Sequence, residues 1–159
     1  MDSPILFPIT IGIHNYWKMV YHLAYFSNST ERLSVEEMEK MLVKFRQRNQ
    51  KRGITGILLY LDRCFLQIIE GSKESVEGLF NIIKDDPRHD EILRIFAGKT
   101  EERTFKDWSM GFEVIGIEKF KEMAGFNNVS NEDFIEKIIK TNHPRIVRTL
   151  KVFYTGGLS

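Results

Sequence analysis

Cys64 is the chain's single cysteine, so no internal disulfide can form, and a reducing cytoplasm suits such a protein. The four histidines (His14, His22, His89 and His143) are scattered, without the spacing of metal ligands. Net charge is only +1, which removes any global drive toward nucleic acid or an anionic membrane. No apolar run approaches the roughly 20 residues of a membrane span. A glycine-rich phosphate loop, a His-Glu-x-x-His helix, a Cys-x-x-Cys pair and a nucleophile elbow are all missing. Little is left on which to build an enzyme.

What is present is enough apolar sequence for one hydrophobic core in 159 residues. Residues 1–18 stand apart: Ile5 to Ile13 is apolar, but Asp2 precedes it and Pro8 interrupts it. The segment lacks the basic start and small-residue cleavage site of a signal peptide. It is expected to be an extension outside the core domain, which then spans residues 19–114 and is followed by a helical extension over 115–159.

Tyr21 to Ser27 reads as a strand, rich in aromatic and apolar residues. Ser34 and Glu37 form a capping box, and the helix that follows carries Met38, Met41, Leu42 and Phe45 on one face. Asn49 continues that face, and Gly53 is placed to stop the helix. Gly53 to Gly71 reads as a hairpin turning near Leu61-Asp62-Arg63, with almost nothing polar in the middle of its strands except Gln67. A second helix carries Val76, Leu79, Phe80 and Ile83 and ends at Asp85-Asp86-Pro87. Further strands are expected over Glu91–Lys99 and Trp108–Val114. The order is that of an α+β, ferredoxin-like β-α-β-β-α-β core with a fifth strand. Right-handed crossovers then set the first and third strands side by side, with both helices on one face. The tail segments around Ile117, Phe120 and Met123, after Ser130, and after Pro144 are amphipathic. The other sheet face, holding Ala24, Phe26, Leu66 and Ile68, is the surface available to them.

In this topology Tyr25 and Gln67 become cross-strand neighbours, and period two puts them on one face with Leu23, Phe65 and Ile69. If that face looks toward the helices, Tyr25, Gln67 and Asn49 converge on one buried pocket. Each has an ordinary reading taken alone. Gln67 could be a core amide bonded to backbone, Asn49 a helix cap, Tyr25 a half-buried strand tyrosine. Trp108 and Met110 could be core filler, and Cys64 a small buried hydrophobe.

Taken together, five stretches in order resemble the BLUF family, blue-light sensors that use FAD. They are Leu23-Ala24-Tyr25-Phe26-Ser27; Arg48-Asn49 before Gly53-Ile54-Thr55-Gly56; Phe65-Leu66-Gln67 before Glu70-Gly71; Asp86-Pro87-Arg88-His89; and Phe105 to Phe112. The resemblance covers about residues 19–114 and departs at Ala24, where a larger aliphatic is usual, and at Cys64. It implies that Tyr25 is the photoactive tyrosine, Gln67 the switching glutamine, and Asn49 the residue that holds the flavin's polar edge. Arg48, Arg88 and His89 fall where the family places polar groups around the flavin. Trp108 and Met110 match the residues of the fifth strand that relay the change. Light would draw an electron and then a proton from Tyr25, with Gln67 as the proton path, and leave Gln67 in a rearranged, red-shifting state. No substrate would be turned over.

An RNA-binding module of RRM type shares the strand order, but the third strand lacks its basic, glycine-aromatic signature. An acylphosphatase-like hydrolase would need an anion loop where Asn28-Ser29-Thr30 stands. A BLUF-like domain that binds no flavin is a further alternative. Residues 115–159 are too few for a cyclase, phosphodiesterase or DNA-binding domain. The expectation is therefore a signal passed to a separate, unnamed effector protein or through a homo-oligomer, with neither nucleic acid nor membrane as partner.

Overall fold

The computed structural model describes residues 19–130 and, beyond them, Asp133, Pro144 and residues 146–149. The expected N-terminal extension and most of the tail lie outside the described residues. The elements run β1 (Val20–Ser29), α1 (Val35–Lys51), β2 (Thr55–Leu61), β3 (Cys64–Gly71), α2 (Lys73–Lys84), β4 (His89–Thr100), β5 (Gly111–Val114) and α3 (Ile117–Met123). The sheet order is β4-β1-β3-β2-β5. β1 pairs antiparallel with β3 and β4, β2 pairs antiparallel with β3, and β5 lies parallel to β2. This is the expected ferredoxin-like α+β arrangement with its fifth strand.

Local chemistry sets the element ends. The Ser34 side chain accepts from Glu37 N while the Glu37 carboxylate accepts from Ser34 N, so two donors at the start of α1 are satisfied reciprocally. Gly53, at φ +63°, turns the chain out of α1 in a conformation that costs glycine little. The β2–β3 turn puts Asp62 at φ 45° and Arg63 at φ 75°, matching the two left-handed residues of a tight hairpin turn. The Asp62 carboxylate also accepts from Ile117 N at 2.8 Å. It thereby caps α3, whose own N-cap, Gly116, has no side chain to do so.

The sheet separates two cores. On one face Leu23, Tyr25, Phe65 and Ile69 pack against Met38 and Leu42 of α1 and Val76 and Phe80 of α2. On the other, Ala24, Phe26, Leu66 and Ile68 pack against Ile117 and Phe120 of α3 and against Ile146. The face expected to receive the C-terminal helices receives α3 and, of the later described residues, Ile146; the rest of the expected tail helices lie outside the described residues. The buried Glu70 carboxylate accepts from Thr104 N and Phe105 N, both at 3.0 Å, and ties the segment before β5 to the centre of the sheet.

Two strand bounds differ from the expectation. β4 begins at His89 and runs to Thr100, with register shifts against β1 at Ala24/Tyr25 and Phe26/Asn28. β5 begins at Gly111, so Trp108 and Met110 precede the strand and are not part of it. The reason is where their carbonyls go. Trp108 O accepts from Gly56 N at 3.0 Å, while Ser109 O and Met110 O are taken by α1 side chains and not by a neighbouring strand.

Gly56 tests the closeness of this packing. A Cβ there would stand 2.0 Å from the Ile68 carbonyl oxygen, a backbone atom that no rotamer can move. Gly56→Ala is expected to lower unfolding free energy by about 3 kcal/mol. Urea denaturation followed by circular dichroism measures it, and a midpoint equal to the wild type would refute the contact.

Candidate functional site

The β1–β3 register sets Tyr25 directly opposite Gln67. Both face the helices, where α1 and α2 leave a cleft of about 860 Å³ counted out to its open mouth. Its floor is formed by Tyr25, Leu58, Phe65 and Gln67. Met38, Leu42, Phe45 and Asn49 of α1 form one wall, and Leu79, Ile82 and Ile83 of α2 the other. Arg48, Arg52, Asp86, Arg88 and His89 supply the charged and polar part of the lining. A mostly apolar cleft with a few convergent polar groups is the usual form of a small-molecule site.

The polar groups are ordered by what each can donate. Tyr25 is 1% exposed, and burial, helped by the Asp86 charge, holds its phenol well above the ordinary value. Its hydroxyl keeps its proton and donates to Gln67 Oε1 at 2.5 Å. That bond leaves Gln67 Nε2 as donor, and one of its hydrogens goes to Met110 Sδ at 3.2 Å. A thioether is a weak acceptor. The second Nε2 hydrogen has no acceptor among the described residues. Asn49, 3% exposed, donates from Nδ2 to Ser109 O at 2.8 Å. No described group donates to its Oδ1.

Around this centre the charges are fixed. Asp86 is held by Arg88, whose Nε donates to Oδ1 at 2.9 Å and whose Nη2 bonds Oδ2. That side-chain bond is the main reason the Asp86 carboxyl is pulled down to about 2. Arg88 also lies over the Phe45 ring, 5.5 Å from its centroid. His89 Nδ1 is 2.8 Å from Ser27 Oγ, with its ring against Phe65 and Tyr25. Burial pushes the His89 imidazole below its ordinary value, more than the Asp86 charge raises it. Arg48 is exposed at the mouth, its guanidinium 5.8 Å from the Phe45 centroid.

The cleft therefore brings together Tyr25, Asn49, Gln67, Arg48, Arg88 and His89, as the sequence led us to expect. It separates the two relay candidates. Met110 is buried on the helix-side face in contact with Gln67, whereas half-buried Trp108 packs into the core on the opposite face. Sequence reasoning passed over Arg46, whose Nε donates to Met110 O at 2.9 Å, and Ser27 beneath His89. Arg46 lies one helical turn before Asn49, and that spacing is the only sign of it in the sequence.

Residues 20–111 match the sequence profile of BLUF, "sensors of blue-light using FAD". This chain belongs to the BLUF family. Photoactivated adenylate cyclase subunit alpha of Euglena gracilis is 36% identical over 90 residues, which are 55% of this chain and 9% of that protein. The blue light- and temperature-regulated antirepressor BluF of Escherichia coli is 32% identical over 87 residues, 22% of its length. The match thus spans less than a quarter of these relatives. The dark-state structure of the BLUF protein BlrB superposes with a TM-score of 0.64 at 29% identity, covering 89% of this chain and 98% of BlrB. BLUF domains are blue-light flavin sensors. No described helix here is long and apolar enough to cross a membrane. The donor set of this cleft suits a flavin. The unused hydrogen of Gln67 Nε2 and the unused acceptor Asn49 Oδ1 complement a flat ring carrying acceptors and an N–H on one edge.

A histidine held neutral by burial makes stability depend on pH. The unfolded chain binds the proton near 6.5, the folded chain only lower. The contribution is complete above 6.5 and is lost as pH falls through that value toward the folded one. The urea midpoint is expected to drop between about pH 7.5 and pH 5.5, and to drop less in His89→Gln. An equal drop in the two proteins would show that His89 is not the group responsible.

Proposed function

We propose that this protein is a blue-light receptor, not an enzyme, that holds FAD non-covalently in the cleft between α1 and α2. The observation that carries the reading is the chain Tyr25 Oη–Gln67 Oε1–Met110 Sδ on the cleft floor, with one Gln67 hydrogen and Asn49 Oδ1 left unused beside it. When bound, a flavin supplies blue absorption and, once excited, a strongly oxidising ring. The remaining steps belong to the protein.

Asn49 orients the ring by its polar edge through Oδ1, and its bond to Ser109 O fixes the amide so that Oδ1 is presented. Arg88, held in place by Asp86, and the exposed Arg48 supply positive charge near the mouth. His89, neutral and packed on Phe65, closes the floor beside Tyr25. Apolar walls exclude water, so the Tyr25 proton has one acceptor in reach, Gln67 Oε1 at 2.5 Å. Loss of one electron from Tyr25 to a bound, excited flavin would make its proton strongly acidic, and the proton would pass to Gln67. Once both the electron and the proton had come back to Tyr25, the amide would be free to settle with its two ends exchanged. Exchange alters what Gln67 offers to the ring edge and to Met110, and this two-state hydrogen-bond arrangement is the signal.

From Met110 the change is proposed to pass through Trp108 to the far core and α3, and from there to a cytoplasmic effector or a second copy of the chain. The Euglena relatives, named as photoactivated adenylate cyclase subunits, support a light sensor that controls an output. The purified protein should be yellow, release FAD on acid denaturation, and shift its absorption to the red under blue light. Release of FMN alone would correct the cofactor, and a colourless protein that takes up no flavin would overturn the reading.

Two substitutions assign the switch. Tyr25→Phe keeps the ring contact and removes the transferable proton, so the protein should stay yellow and lose the red shift. An unchanged light-minus-dark spectrum would remove Tyr25 from the chemistry. Gln67→Leu keeps volume and removes both amide ends; it should bind flavin and form no red-shifted state, and a wild-type photocycle there would exclude the amide.

A further inference from the structure

Of the three consecutive carbonyls before β5, that of Trp108 is met by the backbone of β2, whereas those of Ser109 and Met110 leave the sheet for α1 side chains. Gly56 N serves the first at 3.0 Å, Asn49 Nδ2 the second at 2.8 Å and Arg46 Nε the third at 2.9 Å. The first donor is backbone and the second belongs to the proposed flavin set. Arg46 does neither job: it does not line the cleft.

Met110 is thus gripped at two ends. Its sulfur receives Gln67 Nε2 at 3.2 Å, and its carbonyl receives Arg46. The two grips are unequal. A thioether is a weak acceptor on a flexible side chain, whereas a guanidinium-to-carbonyl bond is charge-assisted. The carbonyl end therefore decides where the sulfur sits. The next residue leaves the backbone little room to wander, because a Cβ on Gly111 would fall 1.7 Å from the Trp108 ring. A rearranged Gln67 offers Oε1 to the sulfur, which has no proton to give, so that contact exists in only one of the two amide orientations. The return to that orientation depends on the sulfur being held within reach.

We propose that Arg46 is a positioning residue that seats Met110 against Gln67 and thereby sets how fast the light-adapted state returns to the dark one. The proposal rests on the photosensor reading above. Without Arg46 the carbonyl of a residue only 2% exposed loses its donor. The segment then shifts to find another, and the dark arrangement loses its preformed acceptor.

The test uses the full chain with bound flavin, timing dark recovery after a blue pulse. Arg46→Ala should recover more slowly by at least about threefold, the scale of one lost hydrogen bond. Arg46→Lys, which can still donate, should stay within about twofold of the wild type. Slowing short of threefold in Arg46→Ala, faster recovery, or an equally slow Arg46→Lys would overturn the proposal. A second measurement needs no photocycle. In protein labelled at the methionine methyls, with the Met110 signal assigned from Met110→Leu, Arg46→Ala should move Met110 more than any other methionine, and Arg46→Lys should restore it. An unmoved Met110 signal would overturn the proposal. If the wild type shows no red shift, the photosensor reading fails, and the methyl signal still decides whether Arg46 seats Met110.

Discussion

A primary amide buried among apolar side chains governs this structure. Gln67 is 7% exposed on a central strand, and leaving such a group without partners costs about 1–3 kcal/mol. The sheet register supplies the first partner by setting Tyr25 across from it. Burial supplies the second condition: a phenol this deep keeps its proton, and here it donates that proton to Gln67 Oε1. One amide end being fixed, the other is fixed too. Nε2 faces Met110 and the cleft, and everything that follows depends on which way this one group points.

The fold converts that orientation into a difference across the sheet. Strand alternation sends Tyr25 and Gln67 to the helix side and Ala24, Leu66 and Ile68 to the far side, so a change at Gln67 stays on one face unless something crosses. The segment from Trp108 to Met110 does cross, with Met110 in the near core and Trp108 in the far one. It can do so because its carbonyls are bonded to α1 and β2 and not locked in a ladder. On the far side α3 packs on the same core and takes its N-terminal cap from Asp62 at the tip of the β2–β3 hairpin. The strand that carries Gln67 is thus tied at its turn to the helix that covers the opposite face.

Much of this was legible in the residues. Aromatic and apolar runs marked the strands, Ser34 and Glu37 marked the start of α1, and strand order put Tyr25 beside Gln67. These are local signals, or topological ones with few alternatives. The resemblance to a known family supplied what local signals lacked, namely why Asn49 and Gln67 should be polar in apolar surroundings. Trp108 and Met110 were misplaced onto a strand because apolar residues announce burial without saying where their carbonyls go. Those carbonyls go to Asn49, Arg46 and Gly56, more than 50 positions earlier, and that choice is tertiary. Arg46 was invisible for the same reason, since an arginine on a charged helix face reads as solvated until its partner is known.

The weakness of the Met110 contact has a physical use. A switch needs two arrangements that differ by little, and a buried amide gripped by two good oxygen acceptors would have a deep single minimum. At about 0.5–1.5 kcal/mol for each net hydrogen bond, replacing a carbonyl by a thioether on one Nε2 hydrogen keeps the cost of leaving small. Meanwhile the dry apolar walls keep water from bonding either amide end, which would erase the difference between orientations. The strong bond is placed one step back, from Arg46 to the Met110 carbonyl, where it holds the acceptor in position without holding the amide itself. In the proposed switch, persistence then comes from burial of the amide, and reversibility from an acceptor that is weak but held in one place.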